Sequence, residues 1–321
     1  MSKDPKKQPA TTNRPPSSVG YWAIEKTGFD DARRILALRK LKYPGPIALI
    51  DSGKGALGNP VLGNPTCIPP SGIGTVSANA NPEGEGSHAA EVAGVIALAC
   101  PEAELVVYNI ATTAGPDRDL FLAALEDVPK RAPKPSVVNI SLGWLDPDPR
   151  VDKAIKDCVA AGVVVVAAMG EFEEPSDFES YPAACKDVIA VGATDRFDLR
   201  LPGSSVGNHI WIAAPGEDVD TVVTETDTGV KSGTSFATAL VSAGAWIGRW
   251  AKPGATPIEI RRLLGDSADA TLVGKGAPKD LEGSPNGTWD PSVGCGRLDV
   301  AKLVTLVPPP AVPEEPLHAR G

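Results

Sequence analysis

Along most of this chain, short apolar runs alternate with stretches in which apolar residues recur every three or four positions. The runs at 46–50, 104–109, 136–140, 163–168, 188–191 and 210–213 include several that are rich in Val and Ile and apolar at consecutive positions. That pattern predicts strands buried on both faces, as in a parallel sheet. Between them, Phe121, Ala124, Leu125 and Val128 form one helical stripe, and Val151, Ala154, Ile155, Cys158 and Val159 form another. Alternating strands and helices predict an α/β fold with a parallel sheet covered by helices on both faces, and chemistry gathered at the carboxyl ends of the strands.

The stretch from Lys231 to Trp250 is of another kind. A short polar loop, Ser232-Gly233-Thr234, leads to Ser235 and then to a small, apolar run from Phe236 to Ile247 that reads as a buried helix. Ser235 therefore falls at a helix N-terminus, where unpaired N–H groups and the helix dipole can hold a developing negative charge. A plain helix cap is the structural alternative. Two other polar residues lie at element ends. Asp51 closes the run IALI and precedes Ser52-Gly53, while His88 follows Gly84-Glu85-Gly86-Ser87 and opens the run AAEVAGVIALA. Singly, Asp51 reads as a turn former and His88 as a neighbour of a cap. Together, a carboxylate, an imidazole and a helix-start serine are the parts of an Asp-His-Ser triad. Of the other two histidines, His318 lies in the C-terminal tail and His209 precedes a predicted strand as an edge residue.

Composition narrows the setting. The 321 residues are 42% hydrophobic and 22% charged with net charge −9, enough for one large α/β domain or two small ones. The acidic balance argues against nucleic acid as a partner, and the basic residues between Arg33 and Lys42 read as a solvated helix face. No run approaches the roughly 18 apolar residues that span a membrane, and the start lacks the apolar core of a signal peptide. Cys67, Cys100, Cys158, Cys185 and Cys295 are spread singly, without metal-ligand spacing. Reduced thiols and a cytoplasmic location are the expectation, with Cys158 packed in the core. Residues 1–19 and 308–321 are polar and Pro-rich and read as flexible tails around a body at 20–307.

At this point the sequence resembles the subtilisin-like serine peptidases, the subtilases. IALIDSG is similar to the family's aspartate motif, SHAAEVAGVIA to its histidine motif and SGTSFAT to its serine motif. VVNISLG, AGVVVVAAMG, YPAACKDVIAVGAT, SSVGNHIWIAAPG, IRRLLGDSA and GCGRLDVAKL agree with the connecting blocks, so the likeness runs in order from Gly45 to Leu303. The resemblance implies a single subtilisin-like catalytic domain that hydrolyses peptide bonds through Asp51, His88 and Ser235, with no required cofactor. It also implies that Ser141, Leu142 and Gly143 pair with an extended substrate. Ala168, Met169, Gly170, Ser180, Tyr181 and Pro182 would wall the pocket for the side chain before the scissile bond, and Thr234 would border the oxyanion hole.

The departures from the family pattern bear on activity. Glu171 stands where the family carries the asparagine that donates to the oxyanion. An ionised carboxylate there repels the developing charge, whereas a protonated one can donate to it. Glu91 replaces a frequent second histidine, and Ala239 stands where a proline usually follows in the serine helix. Glu171, Glu173, Glu174, Asp177 and Glu179 form an acidic stretch that offers three readings: a preference for basic substrates, a calcium site, or a solvated loop. The resulting expectation is a dedicated or regulated intracellular endopeptidase acting on a protein or peptide. Residues 1–19 are a candidate pro-segment, and an activating or inhibitory partner is the other means of control. The alternatives are a peptide-binding module disabled by Glu171 and a transpeptidase that closes peptide rings.

Overall fold

The computed structural model describes residues 21–53, 55–68, 87–171, 179–270 and 289–309. Its elements in chain order begin with helices α1 (Trp22–Thr27) and α2 (Phe29–Arg39), then strands β1 (Ile47–Asp51) and β2 (Thr66–Ile68), helix α3 (His88–Ala99) and strand β3 (Leu105–Asn109). A small hairpin of β4 (Ala111–Thr112) and β5 (Gly115–Pro116) precedes α4 (Arg118–Asp127), β6 (Val137–Ile140), α5 (Pro149–Ala160), β7 (Val164–Ala168), β8 (Ile189–Thr194) and β9 (Ile210–Pro215). The hairpin β10 (Val219–Val222) and β11 (Thr228–Lys231) then leads into α6 (Thr234–Ala251), α7 (Pro257–Ser267) and α8 (Val300–Leu306).

Seven strands form one parallel sheet in the order β2-β3-β1-β6-β7-β8-β9. The strands foreseen from consecutive apolar residues are β1, β3, β6, β7, β8 and β9, each buried along its whole length, with β9 at one edge of the sheet. Helices α3 and α6 pack on each other and on the sheet, while α4 and α5 pack together against β1 and β7. This is the expected α/β architecture with helices on both faces.

Order along the sheet locates the cleft. From β1 the chain goes to β2 at one edge, steps back inward to β3 beside β1, and later crosses to lay β6 on the other side of β1. The carboxyl ends of β1 and β6 therefore flank a topological switch point, where open parallel sheets leave a crevice. The register pairs Ile50 with Ile140, so Asp51 and Ser141 lie at the same level.

Helix α6 is longer than the apolar run that foretold it, and Ser235 is its second residue. The capping position belongs to Gly233 at φ 145°, which supplies no side-chain cap, so Ser235 is not the plain cap of the structural alternative. The segment that precedes β1 forms two helices. Gly28, at φ 74°, ends α1 in the left-handed conformation, and a Cβ there would come within 2.6 Å of Ala301. All five cysteines are free, and Cys158 is buried as expected. The body boundary at 307 lies just past α8, and the tail at 1–19 is outside the described residues, as is the other tail from residue 310.

Candidate active site

Asp51 is the last residue of β1 and fully buried. Its Oδ1 lies 2.6 Å from His88 Nδ1 and accepts from the Ser52 N–H at 2.6 Å, while Oδ2 is buried with no hydrogen-bond partner among the described residues. The loop after Asp51 is held in turn. Asn109, paired with Asp51 in the sheet, accepts from the N–H groups of Gly53 and Ala111 through its side-chain oxygen.

His88 opens α3. Ser87 caps that helix by accepting from Ala90 N–H at 3.2 Å, and its own hydroxyl donates to Gly55 O at 2.7 Å. The Ala89 N–H donates to Ser52 O. The imidazole is thus anchored to the loop that carries the carboxylate, and its orientation is set from both sides. The Asp51 carboxylate, above all, pushes the His88 imidazole up to about 9, against the opposing effect of burial, with Glu91 and Glu171 adding in the same direction. Donation from Nδ1 to Asp51 leaves Nε2 as the free ring nitrogen.

Ser235 is held against the end of β6. Its hydroxyl donates to Ser141 O at 3.1 Å, and the Ser141 hydroxyl donates to Ser235 O at 3.0 Å. No hydrogen bond joins Ser235 to His88 among the described residues. Behind this pair Asn139 Nδ2 donates to Ser141 Oγ, and Ser242 of α6 donates to Asn139 Oδ1, a buried polar chain from the sheet to the helix. In the first turn of α6 the N–H of Ser235 has no helical carbonyl to meet.

Glu171 comes directly to that helix start. Its Oε1 accepts from the Thr234 N–H at 2.5 Å and from Thr234 Oγ1 at 2.9 Å. The carboxylate therefore supplies the cap that Gly233 lacks, and a Cβ on Gly233 would come within 2.8 Å of it. Both contacts make Glu171 an acceptor. Both Thr234 hydrogens go to Oε1, so that oxygen is the acceptor at the start of α6.

A cavity of about 230 Å³ opens beside Ser235, lined by Ser141, Leu142, Gly143, Ala168, Gly170, Glu171, Ser180 and Thr234 together with Trp144 and Leu145. Of the residues assigned to substrate binding from the sequence, Ser141, Leu142, Gly143, Ala168, Gly170 and Ser180 border this one space from three separate segments, whereas Met169, Tyr181 and Pro182 do not line it. Of the other pocket residues named, Met169 is buried with its side chain near Gly207, and Tyr181 contributes by its backbone, which exchanges two hydrogen bonds of 2.8 Å with Trp144. Trp144 escaped the sequence reading. Phe121 and the Arg118 guanidinium pack on its indole, so the wall after Gly143 is held from both sides. His209 precedes β9, the outer strand, as foreseen, but its ring lies near Gly207 and its Nε2 is buried without a partner among the described residues. It does not border the cavity.

Calcium was considered for the acidic stretch after Gly170. Glu173, Glu174 and Asp177 lie outside the described residues, Glu171 is engaged by Thr234, and Glu179 accepts from the Tyr181 hydroxyl. Among the described residues no cluster of three or more His, Cys, Asp or Glu side chains could hold a metal ion, so no step is drawn through one.

The fold thus sets a buried carboxylate against an imidazole and holds a helix-start hydroxyl at the end of the neighbouring strand of a seven-stranded parallel sheet. The model of the Subtilase family, Peptidase S8, matches residues 71–296, and the chain belongs to that family. Subtilisin BL of Lederbergia lenta is 34% identical over 132 residues, which are 41% of this chain and 48% of that protein. The cell wall-associated protease of Bacillus subtilis (strain 168) is 27% identical over 300 residues, 86% of this chain and 32% of the relative. The chain thus spans about half or less of the curated relatives it matches. Among solved structures, the crystal structure of a lanthipeptide protease shares the fold with a TM-score of 0.71 at 20% identity, covering 90% of this chain and 94% of that one.

Proposed function

We propose that this chain is a serine endopeptidase in which Ser235 is the nucleophile, His88 the general base and Asp51 the residue that orients the imidazole. The observation that carries the reading is the 2.6 Å contact from Asp51 Oδ1 to His88 Nδ1, with the His88 ring 6.2 Å from that of Phe236, the residue after Ser235. A turn about the Ser235 Cα–Cβ bond would take its hydroxyl from Ser141 O toward Nε2. His88 then accepts the proton as Ser235 Oγ bonds to the substrate carbonyl carbon, and returns it to the leaving amine as the C–N bond breaks. Water releases the acyl group by the same route in reverse. The Ser235 N–H, at the positive end of α6, is the donor placed for the oxyanion.

Glu171 is the element that sets this chain apart. In subtilisin, loss of the oxyanion asparagine lowers turnover roughly 100 to 1000-fold. A carboxylate in its place withholds a donor and keeps the Thr234 hydroxyl and N–H occupied. The proposed enzyme is therefore slow and suited to a dedicated peptide or protein. A lanthipeptide protease of the same fold fits such a substrate. A cytoplasmic site of action, with residues 1–19 as a pro-segment or a partner as the means of control, belongs to the same proposal. Among the described residues no helix is long and apolar enough to cross a membrane.

The contacts of Glu171 and the turn of Ser235 toward Ser141 favour a second reading, a peptide-binding module whose chemistry is switched off. Labelling with a fluorophosphonate probe between pH 4 and 9 separates the two. Labelling of the wild type that is lost in Ser235→Ala supports the peptidase, and Glu171→Asn is then expected to raise peptide turnover about tenfold or more. A wild type that stays unlabelled throughout, beside a Glu171→Asn variant that labels strongly, would establish the binding module. Ring products from linear peptides, seen by mass spectrometry, would point to transfer of the acyl group to an amine.

A further inference from the structure

Glu91 lies one turn along α3 from His88, at the place where the family often has a second histidine. Its side chain is only 12% exposed, and its Oε1 meets Lys231 Nζ at 2.7 Å. Lys231 is the last residue of β11, four residues before Ser235. The pair thus joins the helix that carries the imidazole to the segment that delivers the hydroxyl.

Other contacts hold the same two pieces together. The Thr221 hydroxyl of β10 donates to Glu91 O. Gly94 lets α3 lie flush against that strand, since a Cβ there would come within 2.6 Å of Val222 N. β10 is bound antiparallel to β11, with Val219 opposite Lys231. The hairpin is therefore a rigid spacer between α3 and the start of α6, and the ion pair closes its end nearest the chemistry.

We propose that Glu91 and Lys231 are positioning residues for the reaction, fixing His88 against Ser235 and neutralising a carboxylate that would otherwise stand unpaired one turn from the imidazole. This inference rests on the serine peptidase reading. The charges facing His88 come from four elements: Asp51 on β1, Glu91 on its own helix, Glu171 after β7, and Lys231 on β11 through its pairing with Glu91. Removing one member of the Glu91–Lys231 pair exposes the imidazole to the other. Lys231→Met leaves a net negative charge, which favours the imidazolium, while Glu91→Gln leaves a net positive one, which favours the neutral ring.

The test is steady-state hydrolysis of a peptide substrate as a function of pH by the wild type, Lys231→Met, Glu91→Gln, the double variant and the conservative Lys231→Arg. Lys231 is 43% exposed, so its substitutions are expected to leave the fold intact. The alkaline-rising limb of kcat/KM should move to higher pH in Lys231→Met, to lower pH in Glu91→Gln, and return near the wild-type position in the double variant. At the plateau, kcat should fall about tenfold in all three with KM little changed, the effect of a misplaced base, and Lys231→Arg should recover most of the rate. Limbs that stay in place together with plateau rates within about twofold of wild type would overturn the proposal. Labelling of Ser235 in the wild type by the fluorophosphonate probe, measured alongside, tells this failure from a failure of the peptidase reading, which would remove the proposal with it.

Discussion

His88 can work as a base only while its ring is neutral. The Asp51 carboxylate pushes it up to about 9, so at neutral pH most of the free protein carries an imidazolium. The competent fraction should rise with pH and level off above about 9. The rate of fluorophosphonate labelling at Ser235 against pH would show this limb directly, and a rate that is flat between pH 6 and about 9 would contradict it. Glu171→Gln removes one of the smaller charges that favour the imidazolium. Its limb should therefore begin at lower pH than the wild type's. The same substitution keeps an oxygen for the two Thr234 donors and turns the other carboxylate oxygen into an amide donor, so both the ionisation of the base and the amplitude of the reaction are read from one variant.

At the scale of elements, the buried chain from Asn139 to Ser141 and Ser242 explains how α6 is held in register with β6. Asn139→Ala leaves the Ser242 hydroxyl without its acceptor in a place closed to water, and the Ser141 hydroxyl without its donor beside the cavity. The expected loss is about 2–3 kcal/mol, seen as a lower urea midpoint at unchanged m-value, together with slower labelling of Ser235. An unchanged midpoint would show that the chain of hydroxyls carries no stability. These elements also show what could be read from the amino acids. The buried strands announced themselves because both faces are covered, so Val and Ile fill consecutive positions. The predicted 46–50 and the observed Ile47–Asp51 differ by one residue at each end. Asp51, His88 and Ser235 were legible because each breaks an apolar run at its end. The short pairs escaped. β2 is exposed or half-buried at each position, and β4 and β5 are two residues each, too short for any period to show. Lys231 escaped for a related reason. Its role comes from a partner 140 positions away, Glu91, and no local pattern encodes such a contact.

Over the whole molecule, the N-terminal helices must be fastened to a sheet that they do not join. Arg297, just before α8, does much of this. Its guanidinium meets Asp198 Oδ1 at 2.7 Å and Asp269 Oδ2 at 2.8 Å, and donates to the carbonyls of Lys26 at 2.9 Å and Leu298 at 3.0 Å. Lys26 returns to the same turn through Asp198 at 3.0 Å. One planar fork with fixed donors therefore ties the end of α1, the turn before β9 and the segment after α7, an arrangement that a lysine cannot reproduce. The side chain is 9% exposed, and removing it would leave Asp269 without its guanidinium and the Lys26 carbonyl without a donor. Arg297→Met should cost about 1–3 kcal/mol, because the Lys26 and Leu298 carbonyls lose the guanidinium donor while Asp198 keeps Lys26. Arg297→Lys should recover only part of that. The turn at Asp198 and the α1 segment lie away from the Ser235 cavity, so the loss should appear in the urea midpoint while the labelling rate of the folded fraction stays near wild type. A labelling rate that falls in step with stability would instead mean that the N-terminal helices reach the cleft through the sheet, and that the fastening at Arg297 is part of the site.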